Sequence, residues 1–261
     1  MILIKHELKQ GRNSFLIWTV SIGFLLAVCV FLYPEMKSEM DDVSKIFASM
    51  GSFSKAFGMD QVNFGSLSGF YAIECGNILG IGGAFFAAIC GISVLAKEEK
   101  EHTAEFLCTH PISRYRVLTE KLVAVFLQII FMNLAVLLFS LLSIAAIKEE
   151  LPLKNILLLH LSYFLLQIEI TGICFGISAF IRRGSLGIGL GIASILYFLN
   201  IISNISEKVD FLKFITPFSY ANGSDIIATS RLETAPLITG MIYGILGILI
   251  AYLHYSKKDI N

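Results

Sequence analysis

The chain has 261 residues, of which 56% are hydrophobic and 15% charged, with a mean hydropathy of +0.75. Soluble domains carry about a quarter charged residues, so this balance excludes an ordinary soluble fold. Twenty basic side chains match twenty acidic ones, and a net charge of zero offers no bulk attraction for nucleic acid.

The chain opens on Met1-Ile2-Leu3-Ile4-Lys5-His6-Glu7-Leu8-Lys9. Its apolar residues cluster early and recur at Leu8, with basic residues between them. A short helix lying in the cytoplasmic interface fits that pattern. A frayed tail carrying topogenic charge fits it equally well. The apolar run that follows has no clear small-residue cleavage site, so it is expected to stay as an anchor.

A bilayer core of about 30 Å takes roughly 20 apolar helical residues. Backbone groups in lipid must pair within their own segment, which makes such spans helices. Six stretches qualify: Phe15–Tyr33, Cys75–Ala96, Leu122–Ile147, Asn155–Phe180, Ser185–Ile205 and Pro236–Tyr255. The fold class is therefore an all-α integral membrane protein with six transmembrane helices, forming one domain over 1–261. Residues 64–74 lengthen the second run beyond one bilayer thickness and predict a bent or partly re-entrant outer end. Residues 206–235, with Phe211, Phe214, Pro217 and Phe218, are too apolar for a solvated loop and too interrupted for a span. They predict short helices dipping into the outer leaflet.

An even number of spans puts both termini on one side. Lys5, Lys9, Arg12, Lys97, Lys100, Arg114, Arg116, Lys121, Arg182, Arg183, Lys257 and Lys258 fall on that side, and the other eight basic residues fall opposite. Short loops rich in Lys and Arg stay in the cytoplasm, so both termini are expected there. Glycines four apart recur at Gly76/Gly80, Gly172/Gly176, Gly187/Gly191 and Gly240/Gly244. That spacing lets helices approach closely, within one chain or across a dimer seam. The five cysteines are scattered, and the odd count argues against a disulfide framework. No internal repeat is visible, which weighs against a classical secondary transporter.

Catalytic motifs are missing. No Gly-x-x-x-x-Gly-Lys-Ser/Thr occurs, so nucleotide is not bound through a P-loop. His6-Glu7 lacks the second histidine of a zinc-protease helix. Of the remaining histidines, His102, His110, His160 and His254, only His102 and His110 could meet across a turn, and no Cys or carboxylate set completes a metal site with them. Glu98-Glu99 is similar to the paired glutamates of membrane-embedded prenyl-type proteases but lacks their intramembrane histidines. Two carboxylates do fall within apolar runs and are candidate pathway or gating residues. Glu74 sits near the outer end of the second span, within reach of water. Glu169 lies well inside the fourth, where an acidic side chain costs roughly 2.5–3.5 kcal/mol on insertion scales. Such a group faces a protein interior or a wet cavity. It either serves passage or gating, or it is interhelical glue supported by Gln167 or Thr171.

The charged segment between the second and third spans carries a resemblance. Glu98-Glu99, Thr103-Ala104-Glu105-Phe106-Leu107, Pro111-Ile112-Ser113-Arg114 and Lys121 follow one another there. The run resembles the corresponding loop of permease subunits of type-2 ATP-binding-cassette transporters. Those commonly read Glu-x-x-x-Thr, Glu-x-Leu, Pro-(Ile/Val)-Ser-Arg, then a Lys entering the third span. The amphipathic start, the semi-apolar segment before the last span and the closing Lys257-Lys258-Asp259 are similar too. The resemblance implies a loop over 97–116 that forms a coupling helix docking on a partner ATPase. The docking residues would be Glu98, Glu99, Thr103, Glu105, Phe106, Leu107 and Pro111. Thr103 suits a helix cap with Glu105 in the first turn, Phe106 and Leu107 suit apolar anchors, and Pro111 suits a stop.

The resemblance further implies two ABC ATPase subunits and a second permease, identical or homologous, beside membrane lipids. ATP and Mg would be bound by the ATPases, with no cofactor on this chain and no enzyme activity of its own. The expected function is export across the plasma membrane. The family moves peptides, antibiotics, lipids, polysaccharides and ions, and an amphipathic or hydrophobic substrate fits this chain's apolar outer segment. The alternative is an ATP-independent membrane protein, a secondary carrier using Glu169 or an intramembrane hydrolase.

Overall fold

The computed structural model describes residues 2–59, 62–100, 113–150, 152–181 and 186–255. Among the described residues there is no strand, and six helices are long and apolar enough to cross a membrane. They are Arg12–Met40, Leu67–Ala96, Arg114–Ala146, Leu153–Ser178, Leu186–Ile205 and Thr234–Tyr255. The six-span all-α architecture read from the sequence is the observed one.

The first span does not end at Tyr33. Its helix runs over Arg12–Ser49 with Pro34 inside it. Proline removes one backbone donor and normally breaks a helix. Here the turns on either side are held by other parts of the chain. The buried Tyr33 donates its hydroxyl to the Gly65 carbonyl at 2.8 Å. Lys37 pairs with Glu149 at 2.7 Å. A short helix, Ser52–Ala56, follows. The chain then turns at Gly58, whose φ of +66° favours glycine and whose Cβ would lie 2.5 Å from Asn222 Oδ1.

The second span starts earlier than expected. Ser66 caps it by accepting from the Gly69 amide at 3.2 Å. Leu67–Cys75 is α-helical, Gly76–Ile81 is a π-helical stretch, and Gly82–Lys100 resumes the α-helix. The residues before Cys75 are thus a continuation of the span rather than a re-entrant turn. Gly76 and Gly80 face Tyr163 of the fourth span, and a Cβ on either would lie 3.0 Å from it.

The third span begins at Arg114, two turns before Leu122, with Ser113 as its cap. Lys121, expected at the charged margin, is fully buried. Its ammonium donates to Glu7 Oε1 at 2.7 Å and to the Val94 carbonyl at 3.0 Å. That pair fastens the N-terminal helix Ile2–Gln10 onto the second and third spans.

The fourth span is central and packs most extensively against the second and the sixth. Its seam with the sixth is built from glycine. A Cβ on Gly172 would lie 2.5 Å from the Gly244 carbonyl oxygen, and one on Gly176 would lie 2.6 Å from that of Gly247. Pairing of 172 with 244 and 176 with 247 runs the two helices parallel. Extending that register places Thr234 beside about residue 162, so the sixth span begins about 14 Å along the fourth. The segment before it is drawn down accordingly. Glu207–Phe214 and Ser219–Ala221 are 3-10 helices and Gly223–Thr229 is α-helical. Phe218, Tyr220 and Ile226 are buried. A Cβ on Gly191 of the fifth span would meet nothing within 4 Å among the described residues. Thus the pairs on the second, fourth and sixth spans are packing devices within the chain, and Gly191 is not.

Candidate functional site

Polar side chains gather on opposite sides of the fourth span. Residues two apart on a helix point about 200° apart. Gln167 and Thr171 share one face and Glu169 takes the other. Gln167 accepts from Asn133 Nδ2 at 2.7 Å, and Thr171 donates to the Ala87 carbonyl at 3.4 Å. Both therefore serve contacts with the second and third spans. The expectation that either would support Glu169 fails on this geometry. Gly83 makes room for Gln167, since a Cβ there would lie 2.1 Å from its Nε2.

Glu169 turns instead to the sixth span and is 1% exposed. A Cβ at Gly240 would lie 2.1 Å from its Oε2 and 3.0 Å from its Oε1. The other polar neighbour is Tyr220, brought down by the short helices before the sixth span. Its hydroxyl and the carboxylate are close enough to act on each other. Neither has a partner in hydrogen-bond geometry among the described residues. Burial, with the carboxylate beside it, pushes the Tyr220 phenol above its ordinary range, so it stays a neutral donor. A buried carboxylate facing one phenol and a glycine notch has spare acceptor capacity. It can take a proton, a cation or a ligand donor.

A second network lies nearer the start of the fourth span. The Tyr71 hydroxyl contacts His160 Nε2 at 2.8 Å and donates to Ser140 Oγ at 2.6 Å, all buried. Glu74 belongs to another interface. It is partly buried and accepts from Cys29 of the first span at 3.6 Å, two residues before the π-helical stretch begins at Gly76. Sequence reasoning named Glu74 and Glu169 but missed Tyr220, and it recorded Gly240 only as half of a small-residue pair. The chain gave no local signal for either, because both reach Glu169 through pairing between distant segments.

The family model for ABC-2 family transporter proteins matches residues 1–260. The chain belongs to that family. No curated protein matches it. As an ABC-2 permease it is a multi-pass membrane subunit of an ABC system, in a family that works with ABC ATPase subunits.

Of the permease's expected docking residues, Thr103, Glu105, Phe106, Leu107 and Pro111 lie outside the described residues, as do the side chains of Glu98 and Glu99. The borders of the loop are described. The helix before it runs to Lys100, and the third span after it begins at Arg114. That second border is tied to two other elements. Glu120 accepts from the Leu3 amide at 3.2 Å and from Arg116 at 3.0 Å. Arg114 donates to the Tyr255 carbonyl at 3.4 Å, Thr119 contacts the Tyr252 hydroxyl at 2.7 Å, and Tyr115 stacks on Tyr252. The loop's downstream border is therefore bonded directly to the N-terminal helix and to the end of the sixth span.

Proposed function

We propose that this chain is the membrane-spanning permease of an ATP-driven exporter in the plasma membrane, with both termini in the cytoplasm. Two ABC ATPase subunits, carrying ATP and Mg, sit below it, and a second permease, identical or homologous, completes the transmembrane part. The loop over 97–116 docks on the ATPase through Glu98, Glu99, Thr103, Glu105, Phe106, Leu107 and Pro111. The observation that carries this reading is the family match along 1–260. Its support is the set of bonds from the loop's border to the N-terminal helix and the sixth span. Motion of the loop would reach the sixth span, whose Gly240 abuts Glu169, and that link supports a role for Glu169 in the pathway or its gate. Glu74, beside the π-helical stretch, is a second pathway candidate. The substrate is amphipathic or hydrophobic, in keeping with the exposed Phe211 and Phe214 of the segment before the sixth span.

The test is copurification from the native membrane followed by assay of the complex. The expected result is an ABC ATPase in the eluate, lost when Phe106→Ala and Leu107→Ala are combined while membrane insertion is unchanged. Recovery of the chain without an ATPase, or recovery unaffected by those substitutions, overturns the docking reading.

A further inference from the structure

We propose that a cleft at the end of the bundle away from the termini is a binding site for a phosphate-bearing group. The cleft lies between the short helix Ser52–Ala56, the end of the fifth span and the start of the segment Glu207–Thr229. It encloses about 590 Å3. Three lysines line it, Lys55, Lys208 and Lys213, against Asp210 and Asp225. Lys213 is already committed to Asp210 at 2.6 Å, with Asp225 and Glu233 near. Lys55 and Lys208 form no ion pair among the described residues. Two uncommitted ammonium groups therefore face the cleft.

The floor supplies neutral groups suited to a multi-oxygen anion. Ser203 lines the cleft, is 4% exposed, and its hydroxyl has no partner among the described residues. A buried hydroxyl without a partner costs free energy unless something else satisfies it. Asn204 and Asn222 also line the cleft and continue into a deeper recess of about 60 Å3. That recess has room for about two waters. Asn200, 8% exposed, lines it with an unpartnered Oδ1, an acceptor that a water in the recess satisfies rather than the anion itself. A phosphate group takes lysines as point charges and hydroxyl or amide donors on its remaining oxygens. The apolar surroundings suit a lipid carrier, because Ile205 at the cleft wall and Phe211, Phe214 and Ile215 nearby are all exposed. A soluble phosphate ester meets the same polar groups. The site is independent of ATP, of the ATPase and of the direction of transport.

The experiment uses the purified full chain and two pairs of probes. Retention of phosphatidylglycerol is compared with that of diacylglycerol by native mass spectrometry, and glycerol phosphate is tested as a competitor against glycerol. Wild type is expected to retain phosphatidylglycerol about tenfold better than diacylglycerol, as charge-assisted bonds require. Lys55→Gln with Lys208→Gln should abolish that preference, and Lys55→Arg with Lys208→Arg should keep it. Ser203→Ala should reduce it about threefold. Both lysines are exposed, so their substitution leaves packing intact. Competition by glycerol phosphate assigns the site to free phosphate esters, and retention without competition assigns it to a lipid headgroup. Equal retention of both lipids with no effect of glycerol phosphate overturns the proposal. So does a phosphate preference that survives the double glutamine variant.

Discussion

The Glu169 carboxylate occupies the space that the absent side chain of Gly240 leaves on the sixth span. The methyl group of Gly240→Ala would lie 2.1 Å from Oε2. The carboxylate is the far end of a rotatable chain, so it can swing away, but it has only a buried interior to enter. Gly240→Ala is therefore expected to cost about 1–3 kcal/mol through overpacking. Glu169→Ala should remove most of that penalty. A double-substitution cycle in thermal unfolding of the detergent-solubilised chain measures the coupling. Additive effects of the two changes would refute the contact.

The glycine seam predicts a ranking. A Cβ on Gly172 meets the backbone of Gly244 at 2.5–2.9 Å, and backbone cannot rotate out of the way. Gly172→Ala should thus destabilise at least as much as Gly240→Ala, by about 3 kcal/mol. Gly191→Ala meets nothing within 4 Å among the described residues and should stay within about 0.5 kcal/mol of wild type in the isolated chain. Unfolding midpoints of the three variants, measured side by side, test the order.

The buried Lys121 predicts the behaviour of the N-terminal helix. Its ammonium pairs with Glu7 at 2.7 Å and is fully buried, while Glu7 remains 13% exposed. Glu7→Gln takes away a carboxylate that the buried charge uses and should cost about 1–3 kcal/mol. The helix Ile2–Gln10 should then loosen from the third span. Faster proteolytic clipping near Gln10, with the six spans still protected, is the expected outcome. Unchanged clipping would mean that the Leu3–Glu120 bond and apolar packing hold the helix without the ion pair.

The six spans were legible because lipid forces about 20 apolar residues and internal backbone pairing on each of them. What lay beyond them was set by contacts between distant residues. Pro34 is a local stop signal, overridden by Tyr33 on Gly65 and Lys37 on Glu149. Lys121 counts as a marginal charge in a topology tally, yet Glu7 lies 114 residues away and draws it inside. The face of Glu169 was open to sequence reasoning. Two residues on a helix turn by about 200°, which already parts it from Gln167 and Thr171. Its facing residue was not, because no local pattern registers the fourth span against Gly240 or lowers Tyr220 beside it.

Glu169 itself separates gating from packing. No described residue stands in hydrogen-bond geometry to either oxygen, so interhelical bonding gives a weak reason for a carboxylate at this depth. Glu169→Gln keeps the shape, with an amide in place of one oxygen, and removes the ionisable proton. Glu169→Leu removes polarity and suits an apolar interior. If the carboxylate only fills the Gly240 notch, both variants should fold, and the complex with its ATPase should hydrolyse ATP and transport as wild type does. If its charge or proton takes part in passage, Glu169→Gln should lower coupled transport by about tenfold or more at normal complex yield, the order of effect removal of a proton-transfer group has. ATP hydrolysis without coupled transport in that variant is the expected outcome. It follows from the proposed docking loop, since the bonds of Arg114 and Thr119 link the start of the third span, which borders that loop, to the end of the sixth span. Glu169 meets that helix four turns away, at Gly240, and its loss should uncouple the pathway while leaving the drive intact.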